Sequence, residues 1–292
     1  MKNFTAKGYL NAIIAAISYG TNPLFALPMY SYGFNANSVL FYRYFFAVLL
    51  YGCWIVFIKK KSLKISLKQL GIMFCLAIVF AFSSLFLFNS FNYMDSGSAC
   101  TILFSYPLMV ALISKLFFNE KLPKIIWVAM TMTLLGIILL SSGNSNNINT
   151  KGIIFVLLSG LSYAIYMVGV KQIKEIKHIK PDKLSFYVML LGLSVFIVNL
   201  KFCTQLQPIK SPIVFICALM LAIFPTIISL ETITFGIKFI GATKTAVLGA
   251  LEPLTALFFG TLLFGEILTF KIICGIILIL SGVICVITSK RD

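Results

Sequence analysis

Apolar residues run through this chain in blocks that are too long for the buried stripe of a soluble helix. Read between charged or Gly/Asn/Pro-rich breaks, ten blocks fall at approximately 9–29, 38–58, 69–92, 97–117, 124–142, 152–170, 185–206, 213–237, 243–264 and 270–288. A hydrocarbon core roughly 30 Å thick takes about 20 helical residues to cross. Strands of a membrane barrel would instead alternate apolar and polar positions over about ten residues. The pattern therefore predicts an all-α integral membrane protein with ten transmembrane helices and short connections.

Composition removes the soluble alternative. Of 292 residues, 60% are hydrophobic and 11% are charged, with a mean hydropathy of +1.02. A soluble globular chain is nearer half apolar and a quarter charged. The net charge of +16 would suit nucleic acid, but its distribution points to a membrane instead. With a cytoplasmic N-terminus, nineteen basic residues fall on that side, among them Lys59, Lys60, Lys61, Lys64, Lys68, Lys174, Lys177, Lys180, Lys183, Lys290 and Arg291. Five (Arg43, Lys151, Lys201, Lys210 and Lys271) are left for the other side or nearby. This is the positive-inside asymmetry. It predicts cytoplasmic termini and a multi-pass protein of the cell's inner (plasma) membrane, with lipid and not nucleic acid as its surroundings.

The chain also repeats itself. "KGYLNAIIAAISYG" from Lys7 and "KGIIFVLLSGLSYA" from Lys151 keep Lys, Gly, Ser and Tyr at a constant offset of 144, so the first block reads as a structural helix and not a cleaved signal. At an offset of 146, Pro107 matches Pro253, Glu120 matches Glu266 and Gly136 matches Gly282. Two five-span units follow, 1–145 and 146–292, and an odd number of spans turns the second upside down. Inverted repeats of this kind mark secondary transporters.

Three stretches resemble a known family. "SYGTNPLF" at 18–25, "FYRYFFA" at 41–47 and "LEPLTALFFGTLLFGEILTFKIICGIILILSGV" at 251–283 resemble the first, second and ninth-to-tenth helices of EamA-type carriers in the drug/metabolite transporter superfamily. Tyr19 stands where those carriers often have Trp, and Asn119 where they commonly have Gly. The resemblance implies a ten-helix carrier of small metabolites, usually an exporter, and names no substrate.

Polar residues inside the spans are the candidate site. Glu252 falls about 14 Å into the ninth span at 1.5 Å per residue, a depth at which a carboxyl faces a cavity or a partner. It reads as a proton or substrate group, or as a neutral packing carboxyl. Glu231 is the second acidic candidate, with Lys238 or Lys244 as its expected ion-pair partner. Tyr19, Asn22, Ser84, Asn89, Tyr106, Tyr163 and Tyr166 supply polar tips that could line a central cavity or simply pack. Pro107 and Pro253 predict matched kinks that leave the carbonyls of Leu103 and Gly249 without helical donors. Glu120 and Glu266 read as helix starts. Arg43 is expected near the outer surface, reaching headgroups or water in preference to binding substrate.

Catalysis and cofactors have little support. His178 is the single histidine, the seven cysteines form no C-x-x-C pair, and neither a phosphate-cradling loop nor a nucleophile elbow is present. No cofactor or metal is expected. The reading is a secondary transporter that exports small metabolites (amino-acid-like or other small organic solutes) by alternating access around a midplane cavity, with protons a candidate coupling ion and the oligomeric state open. An intramembrane enzyme and a non-transporting scaffold or lipid-handling protein are the other classes.

Overall fold

The computed structural model describes residues 2–94, 96–141, 149–264 and 270–288, and the regular secondary structure among them is helical throughout. The helices are α1 (Lys2–Gly20), α2 (Asn22–Ser31), α3 (Ala36–Cys53), α4 (Leu67–Ser90), α5 (Ser96–Leu103), α6 (Tyr106–Phe118), α7 (Lys124–Ser141) and α8 (Thr150–Gln172). They continue as α9 (Lys174–Lys177), α10 (Pro181–Asn199), α11 (Pro212–Ala222), α12 (Ser229–Ile240), α13 (Ala242–Leu248), α14 (Leu251–Phe264) and α15 (Phe270–Thr288). Two π-helical segments, Trp54–Ile58 and Ile223–Ile228, extend α3 and join α11 to α12.

Among the described residues, seven helical runs are long and apolar enough to cross a membrane: Thr5–Ser31, Ala36–Ile58, Leu67–Ser90, Thr150–Gln172, Pro181–Asn199, Pro212–Ile240 and Phe270–Thr288. This is a multi-span membrane protein. Large apolar side chains such as Phe57, Leu116, Phe117 and Ile277 lie exposed on the bundle, as a lipid-facing perimeter requires. The three remaining apolar blocks of the sequence correspond to α7 and to two pairs of shorter helices, α5–α6 and α13–α14.

Helix ends follow local chemistry. The Asn35 side chain accepts from Ser38 N at the start of α3, and Ser66 and Gln69 form a reciprocal capping box at α4. Asn119 closes α6 in the left-handed region at φ 50°. Asparagine tolerates that conformation where most residues do not, so it can stand in for glycine here. Gly241, at φ 94°, makes the joint between α12 and α13.

Several boundaries differ from the hydropathy reading. The block expected at 185–206 ends as helix at Asn199, and Lys201, Phe202 and Cys203 turn through positive φ. Leu200 is buried and Cys203 and Leu206 pack on the core, so this turn is as apolar as the helix it ends. Glu120 is not in the first turn of a helix, because α7 begins at Lys124. Its repeat mate Glu266 lies outside the described residues, as do Lys290 and Arg291.

The prolines also act differently from a simple kink. The helix is interrupted at 104–105 and again at 249–250, so Pro107 and Pro253 each occupy the first turn of the following helix. A proline costs no hydrogen bond there. The Gly249 carbonyl, expected to lack a donor, accepts from Glu252 N at 2.8 Å.

Packing pairs α7 with α15, α1 with α12, α4 with α8, α6 with α8, α1 with α14 and α3 with α10. Gly136 and Gly282 set the α7–α15 distance. A Cβ on Gly136 would meet Gly275 O and Ile279 Cγ1 at 2.7 Å, and one on Gly282 would meet Thr133 Cγ2 at 2.7 Å and Ala129 O at 2.9 Å. Backbone lies on both sides of this contact, so the helices must separate to admit a side chain. Gly136→Val and Gly282→Val should each destabilise the protein by roughly 1–3 kcal/mol through overpacking. Gly71→Ala, with nothing within 4 Å of the added Cβ, should instead stabilise the helix by up to about 1 kcal/mol. Thermal melting of the detergent-purified protein measures all three.

Candidate functional site

A cavity opens where the interrupted helices meet the end of α1. Tyr19, Gly20, Asn22 and Pro23 form one wall, Leu87, Phe88 and Phe91 a second, and Cys100, Leu103, Phe104 and Tyr106 a third, with Glu252 and Pro253 completing the ring. Counting the part open to the outside, the space they line is about 500 Å³. The walls are aromatic and aliphatic, and the polar groups are few. Ligand sites commonly have this make-up.

Local structure explains why a carboxyl reaches this space. The break at 249–250 ends α13 early, and Glu252 is the second residue of α14. Gly20 lets α1 approach that turn: a Cβ there would come within 2.5 Å of Glu252 O and 2.8 Å of Thr255 Cβ. Tyr106 secures the other side, its hydroxyl donating to Ala246 O at 3.1 Å. A Cβ at Gly249 would collide with that same hydroxyl. Glu252 is half-buried, and among the described residues no hydrogen bond or ion pair engages its carboxyl.

Of the predicted site residues, the structure brings Tyr19, Asn22, Tyr106, Glu252 and Pro253 together on the cavity wall. Tyr163 and Tyr166 stand one layer behind. Tyr163 stacks on Tyr19 with ring centroids 6.4 Å apart and meets Tyr106 edge-on at 4.9 Å. The Tyr166 hydroxyl lies 3.4 Å from Thr234 Oγ1. Ser84 is buried 3.3 Å from the Tyr44 hydroxyl, and neither it, Asn89 nor Pro107 lines the cavity.

Glu231 belongs elsewhere. It pairs with Lys59 at 3.2 Å, and Lys59 is also 4.0 Å from Asp182, which Lys61 contacts closely. The expected partner Lys238 instead donates to the carbonyls of Ile176, at 3.0 Å, and Ile179. Both members of the Lys59–Glu231 pair follow a π-helical segment, whose wider turn rotates the residues after it. Nearby, Lys183 donates to Lys64 O at 2.7 Å. The Lys68 ammonium, 2.9 Å from Glu175, holds that carboxyl below its usual range. Charged groups far apart in sequence thus tie one end of the bundle together.

Arg43 corrects the sequence reading most sharply. It is fully buried in protein, so its side chain reaches neither headgroups nor bulk water. Its Nε donates to Thr226 Oγ1 at 2.6 Å, and its terminal nitrogens donate to Asn22 Oδ1 at 3.1 Å and Pro225 O at 2.9 Å. Tyr19 and Phe88 lie 5.7 and 5.8 Å from the guanidinium. Its acceptors come from α2 and from the second π-helical segment, which no pattern along α3 could reveal. The available signal was the charge itself, because an arginine inside a span is a functional candidate by default.

The EamA-like transporter family matches residues 6–142 and again residues 150–288. The chain belongs to this family. Its relatives include an uncharacterized transporter of Archaeoglobus fulgidus, 28% identical over 65% of this chain and 66% of that protein. The uncharacterized transporter YdfC of Bacillus subtilis is 25% identical over 74% of this chain and 71% of its own length. The uncharacterized inner membrane transporter YedA of Escherichia coli is 26% identical over 60% and 56%. The match to the archaeal protein and to YedA thus spans less than two thirds of each. A crystal structure of another protein superposes with a TM-score of 0.79 over 96% of both chains at 15% identity, a likeness of fold alone.

The Lys59 and Glu231 side chains are only 24% and 28% exposed, so solvent screens their attraction incompletely. Lys59→Glu should lower stability by about 1 kcal/mol, the upper end for an accessible pair. Combining it with Glu231→Lys should recover part of that loss but not all, because Asp182 also faces position 59. A melting-temperature double-mutant cycle reads the coupling.

Proposed function

We propose that the chain is a secondary transporter that exports small organic solutes by alternating access. One observation carries this reading: the Glu252 carboxyl lines an aromatic cavity and forms no hydrogen bond or ion pair among the described residues. A carboxyl in that setting is available to a proton or to a cationic group on a solute, and both can differ between the two faces of a transport cycle. Energy comes from a proton gradient, from exchange or from the solute's own gradient.

The moving parts are two inverted five-helix units, 1–145 and 146–292, making ten spans. The family matches the chain twice, once in each unit. The packing pairs support the same view. Exchanging the units turns α1–α12 into α8–α4 and α1–α14 into α8–α6, and returns α7–α15 and α3–α10 to themselves. A pseudo-twofold arrangement has this property, and it places unlike halves around a shared cavity.

Glu252→Gln keeps shape and hydrogen bonding but cannot ionise. In proteoliposomes screened against metabolite pools with and without a pH gradient, it should abolish pH-driven accumulation while sparing exchange if Glu252 carries a proton. Both activities should fall together if the carboxyl holds a cationic solute. Wild-type flux and pH dependence in this variant, at normal expression, would end the functional reading.

Orientation follows from the lysines: the termini and the 59–68 and 171–183 segments face the cytoplasm of a cell whose inner membrane holds the protein. A cysteine placed at Asn37 should therefore react with an impermeant reagent outside intact cells, and one at His178 should not. Asn146, the second expected outer position, lies outside the described residues. Reaction at both Asn37 and His178 would overturn the orientation.

A further inference from the structure

Asn22 is a polar group of the cavity wall that the role of Glu252 leaves unused. Asn22 begins α2 on the cavity wall and is only 5% exposed. Its Oδ1 accepts from Arg43, and its Nδ2 is buried without a hydrogen-bond partner. The amide has a single workable orientation, because guanidinium nitrogens only donate and a flipped amide would set donor against donor. Arg43 cannot follow a rotating amide, since Thr226 and Pro225 occupy its other nitrogens. Thr226 is itself held, its hydroxyl donating to Leu221 O at 2.7 Å. An arginine buried across three helices thus keeps the Asn22 oxygen turned toward itself, leaving the N–H₂ as the free end.

Buried donors are ordinarily satisfied, and one that is not asks for an acceptor from outside the protein. We infer that Asn22 is a specificity-determining hydrogen-bond donor of the transport cavity and that Arg43 is its positioning residue. The solute it selects carries a carbonyl-type oxygen for Asn22 alongside a cationic group for Glu252, with an apolar body against Phe88, Phe91 and Phe104. This rests on the reading of Glu252 as a solute-contacting carboxyl. Arg43 supplies direction only: it touches the amide oxygen and leaves the solute to the amide nitrogen. A site that donates to a solute oxygen discriminates against the analogue lacking it, because the donor is then left unpaired.

Two amines separate these roles. Phenethylamine offers the cation and the ring, and phenylalaninamide adds a carboxamide oxygen. Binding of radiolabelled phenethylamine to the detergent-purified protein, competed by phenylalaninamide, should show the carboxamide favoured about fivefold, the size of one hydrogen bond. Asn22→Asp retains an oxygen for Arg43 but has no N–H, so the preference should vanish while phenethylamine still binds. Arg43→Met frees the amide to turn and should reduce the same ratio. A general loss of stability would lower both affinities and leave the ratio unchanged. An unaltered ratio in a folded Asn22→Asp protein overturns the inference, as does the absence of any wild-type preference. Failure of both amines to bind the wild type overturns the assigned solute class. Phenethylamine binding that is indifferent to Glu252→Gln sinks the underlying role of Glu252 instead, and the ratio still reports on Asn22.

Discussion

Inside hydrocarbon, a backbone N–H or C=O without a partner is expensive, and the rest of this structure is arranged around that constraint. It forces helix wherever the chain meets lipid. It also restricts where helix can be broken to places that other protein groups can reach. The break between α13 and α14 meets this condition through Tyr106, which donates to Ala246 O, and through the short turn in which Glu252 N donates to Gly249 O. Gly20 and Gly249 then matter because these contacts bring backbone and hydroxyl to distances that no β-carbon allows.

The same constraint links the break to the chemistry. A continuous helix would offer the cavity only side chains at fixed helical spacing. Ending one helix and starting another before Pro253 brings Glu252 to the cavity in a helix's first turn. The π-helical segment at Ile223–Ile228 works similarly. Its widened turn presents Thr226 and the Pro225 carbonyl to Arg43, and Glu231 follows a few residues later, against Lys59. Irregular backbone thus occurs beside buried or paired polar groups, and the π-helical segment at Trp54–Ile58 shows that apolar residues on the outside of the bundle tolerate it too.

Arg43 and the Lys59–Glu231 pair show two ways of managing charge in such a protein. Arg43 is fully buried, with each group nitrogen given an oxygen acceptor and aromatic rings nearby, as a desolvated guanidinium requires. The lysines at the bundle end remain partly in solvent and tie loops by carboxylates and carbonyls. The first arrangement confers direction on a neighbouring amide. The second holds distant segments together at one end.

By itself, the sequence determined what depends on composition and spacing. Membrane residence followed from apolar runs, the internal repeat from Pro, Glu and Gly kept at matched offsets, and Glu252 stood out because a carboxylate in such a run is costly. Hydropathy was less able to place ends: the turn after Asn199 is as apolar as the helix before it. Pairing across the bundle was decided by tertiary structure alone. Glu231 went to Lys59 over the nearer Lys238, Ser84 went to Tyr44, and Arg43 went to protein acceptors in place of headgroups or water. These contacts join residues on the order of forty to nearly two hundred positions apart, and what settles them is which helices pack together. Periodicity along one helix records which face is apolar, but it carries no information about which helix that face will meet.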